Sequence, residues 1–319
     1  MRDNFIDTSK GLLIFLVVVG HFLEELIGWT NNETRAILGT IYSFHMPAFI
    51  FISGMFFKDK DIIKKVLYFF SILVPFHILY VLVTWLIKGD ISKVWLIQPY
   101  WMMWYLAGMI AWTLLTPLLK KTGYPVVISI LLSVVIGLSP ISNYYFSLGR
   151  IFVFLPFFVI GSIYGQQIVA KIKSIKALVY VAAFVFIVLA CFFYNYEITR
   201  QWLYGSFNYN QLSVTPYMGI ITRLMIFAVS CVAVCSFLSI STIFKDKFVA
   251  LGRNTLPVYL LHGFVVIIFV NTMSFNGSYI LLIFISLFSA VLTSWVLRQN
   301  LFEVGIKVMA DKIASLIIR

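Results

Sequence analysis

Long apolar runs, separated by short polar or charged connectors, repeat along the whole chain. Each run approaches the roughly 20 residues that a helix needs to cross a hydrocarbon core of about 30 Å. The ten runs are residues 11–28, 41–57, 66–87, 100–119, 124–142, 150–166, 176–194, 218–240, 255–273 and 279–299. This pattern predicts an all-α integral membrane protein, a polytopic bundle of about ten transmembrane helices. No connector is long enough for a soluble domain, so we expect residues 1–319 to form a single transmembrane domain.

Composition supports this prediction, since 61% of the 319 residues are hydrophobic and only 11% are charged. The net charge of +12 could suggest a nucleic-acid partner, but the basic residues lie in short connectors, which is typical of membrane topology. Of the 24 Lys and Arg residues, all but six belong to connectors on one side of the predicted bundle. The six are Arg35, Lys88, Lys93, Arg150, Arg200 and Arg223. We therefore expect a multi-pass protein of the cell membrane with both termini in the cytoplasm and no nucleic-acid partner.

The first apolar run carries a lysine at its start and a histidine near its middle. Lys10 and His21 are eleven residues apart, about three helical turns, so both fall on one helix face roughly 16 Å apart. An ionisable side chain at that depth in a membrane is costly and indicates function by default. The alternative is a histidine that packs between helices and bonds a neighbouring carbonyl.

A carboxylate lies close to this histidine in the sequence. Glu25 is four residues after His21 and shares its helix face, where it could orient the imidazole and make it a general base for a hydroxyl. The alternative is that Glu24 and Glu25 cap the outer end of the helix in water. The other three histidines, His45, His77 and His262, also lie inside or at the edge of apolar runs.

Two arginines and an aromatic connector lie on the predicted outer side. Arg150 and Arg223 begin the sixth and eighth runs, where arginine either snorkels to the interface or clamps an anionic or sugar-phosphate group. The connector at 195–217 is rich in Tyr, Trp, Asn and Gln. It is either an interfacial aromatic belt or a surface that faces carbohydrate.

Four stretches, taken together, resemble the membrane-bound acyltransferase family 3 proteins, especially the branch of fucose O-acetylases and biofilm-polysaccharide O-acyltransferases. They are Asp7-x-x-Lys10-Gly11 followed by VVVGH at 17–21, FHMPAFIFISG at 44–54, WYL at 104–106 and LGRNTLPVYLLH at 251–262. Lys64-Lys65 before Val74-Pro75-Phe76 resembles the family's basic cluster ahead of a proline-containing helix. Much of the family has arginine where this chain has Lys10, and lysine cannot form a bidentate fork.

The resemblance implies an O-acyltransferase that moves an acyl group, most often acetyl, from cytoplasmic acyl-CoA to a hydroxyl of a cell-surface or lipid-linked glycan. Acyl-CoA would be a co-substrate, with no permanently bound cofactor and no metal. His21, Glu25 and Lys10 would be catalytic, with His21 as general base or acyl carrier. The donor would be bound by Lys10, Lys64, Lys65, Ser53, Arg253 and Asn254. The acceptor side or pocket would contain His45, Trp104, Tyr105, Arg150, Arg223, Tyr259 and His262.

Two other classes of membrane protein compete with this interpretation. A transporter or exporter of a polysaccharide or its precursor would use membrane histidines and arginines to line a pathway. A membrane glycosyltransferase would need a domain for a nucleotide sugar, and the connectors leave no room for one. Asp59-x-Asp61 superficially matches the metal-binding pair of such enzymes, but it lies in a short basic connector.

Overall fold

The structure is a computed structural model that describes residues 3–89, 97–273 and 277–317, with the side chain of Ile317 left out. The described residues form α-helices joined by turns and short 3₁₀ segments, and no strand occurs among them. The helices are α1 (Asn4–Leu26), α2 (Asn32–Met55), α3 (Ile62–Lys88), α4 (Trp104–Lys120), α5 (Pro125–Val135), α6 (Leu148–Ser174), α7 (Leu178–Asn195), α8 (Gln201–Tyr204), α9 (Pro216–Ser241), α10 (Val249–Arg253), α11 (Thr255–Thr272), α12 (Tyr279–Leu297) and α13 (Asn300–Ile317). The predicted all-α fold is confirmed.

Within the described residues, nine helices are long and apolar enough to cross a membrane, namely α1–α4, α6, α7, α9, α11 and α12. The fifth predicted run is shorter than expected, because α5 and the 3₁₀ turn after it reach only from Pro125 to Leu138. At about 1.5 Å per residue this segment is roughly 21 Å long, less than the ~30 Å hydrocarbon core. Pro140 accounts for the early end, since the residue before a proline favours extended backbone, and Ser139 is extended with ψ of 133°.

Among the described residues, three helices lie outside the predicted apolar runs, namely the short α8 and α10 and the longer α13. Helix α13 mixes apolar residues with Glu303, Lys307 and Lys312, so it does not stand out as an apolar run. Three basic residues used to predict the topology, Arg2, Lys93 and Arg319, lie outside the described residues. The cytoplasmic location of both termini stays a prediction.

The chain forms two compact units, which we describe separately. The first unit comprises Met1–Phe49, Gln167–Ile198 and Val229–Gly305. The second comprises Ile50–Gln166, Thr199–Ala228 and Ile306–Arg319. The prediction that residues 1–319 make one domain remains a prediction about the whole chain.

Helix α1 is the centre of the first unit, where it packs against α10, α11 and α12. It begins at an N-cap, since the Asp3 carboxylate accepts a hydrogen bond from the Phe5 amide at 2.9 Å. It ends where Gly28 adopts a φ of +80° and its amide bonds the Leu23 carbonyl, a glycine-terminated helix end. Most of the α1 residues between these ends are buried, so the apolar run packs against neighbouring helices.

In the second unit, α3, α4 and α5 are neighbours in chain order, with α3 against α4 and α4 against α5. The end of α2 meets α6 through glycines. A Cβ on Gly54 would lie 2.1 Å from the Phe158 carbonyl oxygen, and one on Gly161 would lie 2.1 Å from that of Phe51. The two helix backbones therefore touch, as small residues allow in membrane helix pairs.

Candidate functional site

The Asp7-x-x-Lys10-Gly11 motif at the start of α1 and the motif around residue 252 meet in the first unit. A Cβ on Gly252 would lie only 1.6 Å from the Asp7 carbonyl oxygen, and one on Gly11 would lie 2.4 Å from that of Phe248. Only glycine permits backbones to approach this closely. These two stretches thus form one structural cluster. They are more than 230 positions apart in the sequence, and each carries part of the family resemblance.

Asp7 joins the two cations of this cluster. Its carboxylate lies 3.0 Å from Lys10 Nζ and 3.5 Å from Arg253 Nε. The Asp7 side chain is only 3% exposed, whereas those of Lys10 and Arg253 are 19% and 49% exposed. A buried carboxylate therefore holds two basic groups that remain accessible to a ligand. Asp7 is not among the predicted site residues, although its i, i+3 spacing to Lys10 is a usable signal.

Three further hydrogen bonds fix the region where α10 ends and α11 begins. Arg253 Nη2 donates to Asn4 Oδ1 at 3.3 Å. Asn254, a predicted donor-binding residue, uses its amide nitrogen to donate to the Arg298 carbonyl at 2.6 Å and to Asn300 Oδ1 at 2.8 Å. The contacts of Asn254 thus tie the start of α11 to the segment after α12.

His21 lies in the C-terminal part of α1, which ends at Leu26, and meets a second histidine, His262, on α11. His21 Nδ1 is 2.8 Å from His262 Nε2, and the ring centres are 5.1 Å apart with an interplanar angle of 10°. His262 is fully buried, and its Nδ1 lies 2.7 Å from the Val258 carbonyl oxygen. Both histidines are predicted site candidates, but their contact with each other was not predicted.

The two glutamates after His21 differ in surroundings. Glu25, the predicted partner of His21, is exposed on the last turn of α1, and its catalytic role stays a prediction. Glu24 is half-buried and does more than cap a helix in water. It accepts hydrogen bonds from the Tyr42 hydroxyl at 2.5 Å and from Trp29 Nε1 at 3.2 Å.

His45 and Tyr259 complete the predicted candidates in the first unit. His45 is buried on α2, where its Nδ1 lies 2.8 Å from the Ile41 carbonyl oxygen and its ring centre is 4.7 Å from that of Tyr42. Through Tyr42, His45 belongs to the same polar group as Glu24. Tyr259 is half-buried on α11, three residues before His262.

The second unit contains the other seven predicted residues. Ser53 Oγ and the Tyr105 hydroxyl share a hydrogen bond of 2.7 Å, which links two residues predicted from separate motifs. Lys65 Nζ donates to the carbonyls of Lys58 and Lys60 and lies 5.0 Å from the Phe57 ring centre. Lys64 beside it is exposed. Asp59, discounted as a metal ligand, pairs with Lys120 Nζ at 3.1 Å.

Arg150 lies among three aromatic rings at the start of α6. Its guanidinium carbon is 5.2 Å from the Trp104 ring centre, 6.0 Å from that of Tyr144 and 5.9 Å from that of Tyr204. These are cation–π distances, and the half-buried guanidinium is therefore held by ring faces from α4, α8 and the segment before α6.

Arg223 on α9 is far more buried, with only 2% of the residue exposed. Its guanidinium carbon lies 5.1 Å from the Trp202 ring centre and 5.9 Å from that of Tyr209, and its Nη2 donates to the Phe207 carbonyl at 3.2 Å. Nε and Nη1 have no hydrogen-bond partner among the described residues. Burial raises the pKa of Tyr209, and the nearby positive charge of Arg223 partly opposes that rise. Trp202 and Tyr209 of the aromatic connector therefore pack around this arginine.

These features define a multi-pass, all-α membrane protein with a histidine pair between two apolar helices and an acid-bridged pair of cations at one helix end. Residues 3–299 match the family model for the acyltransferase domain of the acyltransferase 3 type. The chain belongs to this family and is an acyltransferase, as the sequence motifs predicted.

Two curated relatives match over short segments. The chain is 41% identical over 66 residues to the nodulation protein NolL of Mesorhizobium japonicum, which covers 20% of this chain and 17% of that protein. It is 45% identical over 56 residues to the nodulation protein NolL of Sinorhizobium fredii, or 17% of this chain and 15% of that protein. The matches thus span less than a fifth of either relative. No solved structure matches the chain.

Proposed function

We propose that this protein is an O-acyltransferase of the cell membrane that moves an acyl group, most often acetyl, from cytoplasmic acyl-CoA to a hydroxyl of an extracytoplasmic or lipid-linked glycan. One observation carries the proposal. Helix α1 joins an accessible pair of cations, Lys10 and Arg253 around Asp7, to a hydrogen-bonded imidazole, His21, eleven residues further along the same helix. The anionic phosphates of the donor need cations, and its thioester needs a base or nucleophile at a separate place.

The cation pair suits the phosphates of CoA. Lys10 alone offers a point charge, but Arg253 adds a planar guanidinium with five donors, which is suited to bidentate phosphate contacts. Since both contact the same buried carboxylate, they lie within reach of one phosphate group. This pairing explains how the chain functions with lysine where many family members have arginine.

His21 supplies the chemistry by one of two routes. As a general base, it takes the proton of the acceptor hydroxyl while the oxygen bonds to the thioester carbonyl carbon. The C–S bond then breaks, and the CoA thiolate takes up the proton from the imidazolium. As an acyl carrier, a ring nitrogen first bonds to the thioester carbonyl carbon and CoA leaves as the thiolate; the acceptor hydroxyl then displaces the ring, and its proton goes to the thiolate. Both routes use the same imidazole lone pair.

Four residues of the second unit, Trp104, Tyr105, Arg150 and Arg223, are proposed to serve the acceptor. Arg150 and Arg223 are each surrounded by aromatic rings, and ring faces with a cation suit sugar rings that carry hydroxyl or anionic groups. Tyr105 offers a further hydroxyl to the acceptor, and Ser53, which shares a hydrogen bond with it, is proposed to contact the donor. Lys64 and Lys65 would add positive charge on the donor side.

A genetic experiment tests the proposal against an exporter. Cells that lack the gene are complemented with wild-type protein or with His21→Ala, and the acyl content and location of their envelope glycans are measured. We expect glycan at the surface in every strain, with ester-linked acyl groups restored by the wild type and not by His21→Ala. Glycan retained inside the deletion strain, with its acyl content unchanged, would instead indicate an exporter.

A further inference from the structure

The two histidine rings share an in-plane hydrogen bond rather than a stack. Parallel stacked rings cannot bring two nitrogens to 2.8 Å, because their planes stay a van der Waals distance apart. Here the 2.8 Å between the nitrogens plus about two ring radii accounts for the 5.1 Å between ring centres. With only 10° between the planes, the bond lies nearly along the line of centres. This is the direction in which an imidazole N–H and lone pair point.

The partners of His262 decide where the protons are. A carbonyl oxygen only accepts, so His262 Nδ1, at 2.7 Å from the Val258 oxygen, is the protonated nitrogen. When the ring carries one proton, its Nε2 is then an acceptor. His21 Nδ1 must donate to it, which leaves the lone pair of His21 on Nε2. The opposite arrangement would place the His262 Nδ1 lone pair against a carbonyl oxygen.

We infer that His262 is a positioning residue that fixes His21 in the Nδ1-protonated form, so that Nε2 is the atom that reacts. The inference rests on the proposed function and deepens it. When Nε2 takes a proton or an acyl group, the His21 ring becomes cationic, and its Nδ1–H bond to His262 strengthens. The Val258 carbonyl in turn holds the His262 ring, as backbone carbonyls do when they accept from the second ring nitrogen of metal-bound and catalytic histidines.

The other two histidines provide an internal reference for this assignment. His45 bonds the carbonyl four residues earlier, as His262 does, so it is also Nδ1-protonated. His77, by contrast, accepts the Tyr100 amide proton at Nδ1 at 3.0 Å, so its proton is on Nε2. We therefore expect three histidines protonated on Nδ1, namely His21, His45 and His262, and one, His77, protonated on Nε2.

Nitrogen-15 NMR of the reconstituted protein, labelled on histidine only, tests the assignment without any need for activity. Each signal is assigned by its absence in a single histidine-to-Gln variant. We expect His21, His45 and His262 to be protonated on Nδ1 and His77 on Nε2 in the wild type. In His262→Leu, His21 should no longer favour protonation on Nδ1. In His262→Gln, the new amide can accept from His21 and donate to Val258, so His21 should stay protonated on Nδ1. A wild-type His21 with its proton on Nε2 would overturn the inference.

Kinetics with acetyl-CoA and envelope glycan extracted from cells lacking the gene separate positioning from folding. We expect His262→Leu to lower kcat by at least about tenfold, with an unchanged KM for acetyl-CoA. The upper bound is ~10⁴-fold, which is the loss caused by a wrong histidine tautomer in a serine protease triad. His262→Gln should recover most of that loss. Asn271→Ala is a matched control, since Asn271 makes the same bond to the carbonyl four residues earlier on α11, and it should retain full activity.

The outcomes distinguish this inference from the proposed function. No acyl transfer by the folded wild-type protein would refute the proposed function, and full activity of His21→Ala would refute His21 as its reacting residue, while the NMR result would still stand or fall by itself. Loss of activity in His21→Ala together with wild-type kcat in a folded His262→Leu would refute the inference alone. So would a folded His262→Gln that is no more active than His262→Leu.

Discussion

Replacing Gly252 by alanine is the sharpest test of how the donor end of the site is built. The added Cβ would lie 1.6 Å from the Asp7 carbonyl oxygen, 2.5 Å from its carbonyl carbon and 3.0 Å from its Cα. These are backbone atoms of α1 and cannot rotate away, so α10 must retreat from α1 by more than an ångström. Overpacking of this kind costs about 1–3 kcal/mol, and a backbone clash belongs at the upper end. At roughly 2–4 °C per kcal/mol, we expect the unfolding midpoint to fall by about 5–10 °C.

The assay is thermal unfolding of the purified protein in lipid nanodiscs, followed by the KM for acetyl-CoA at a temperature where both proteins are folded. Because the retreat moves Arg253 away from Asp7, we expect KM to rise with little change in kcat. Gly305→Ala is the control, since a Cβ there meets nothing within 4 Å and α13 should gain up to ~1 kcal/mol in helix propensity. An unchanged midpoint in Gly252→Ala would refute the close contact between α1 and α10.

Three further changes test other contacts. Lys10→Arg should retain much of the activity, whereas Lys10→Ala should raise KM for acetyl-CoA; equal full activity in both would remove Lys10 from the mechanism. Asp7→Asn should lower the free energy of unfolding by about 1–3 kcal/mol, measured by chemical denaturation. This is less than the ~3–5 kcal/mol lost when a fully buried ion pair is broken, because Lys10 is partly exposed. An unchanged free energy of unfolding would contradict a stabilising role for the contact. A double-mutant cycle with Ser53→Ala and Tyr105→Phe should give a coupling of about 1 kcal/mol for their 2.7 Å hydrogen bond, and a coupling near zero would contradict it.

Helices set by local pattern could be predicted from the sequence. The apolar runs located the nine long spans, and the spacing from Lys10 to His21 placed both on α1. The fifth run failed because hydropathy ignores Pro140, which ends the helix early. Helix α13 was missed because it is amphipathic rather than apolar.

The parts of the site that depend on contacts between distant segments could not be predicted from the sequence. The local rule of i, i+4 pairs pointed from His21 to Glu25, but the partner at 2.8 Å is His262, which is 241 positions away. No periodicity in one sequence encodes that pairing, since it depends on how α1 and α11 pack. The Asp7 bridge is similar, because its i, i+3 contact with Lys10 is local while its contact with Arg253 depends on two glycines that let α10 touch α1.

Transfer of label from acetyl-CoA by purified protein tests the central claim most directly. Wild-type protein and His21→Ala, both reconstituted in nanodiscs, receive radiolabelled acetyl-CoA and envelope glycan from cells lacking the gene. We expect wild-type protein to move label to glycan in a hydroxylamine-sensitive ester, and His21→Ala, with the same unfolding midpoint, to move none above background. Equal transfer by both proteins would contradict the assignment of His21 as the reacting residue.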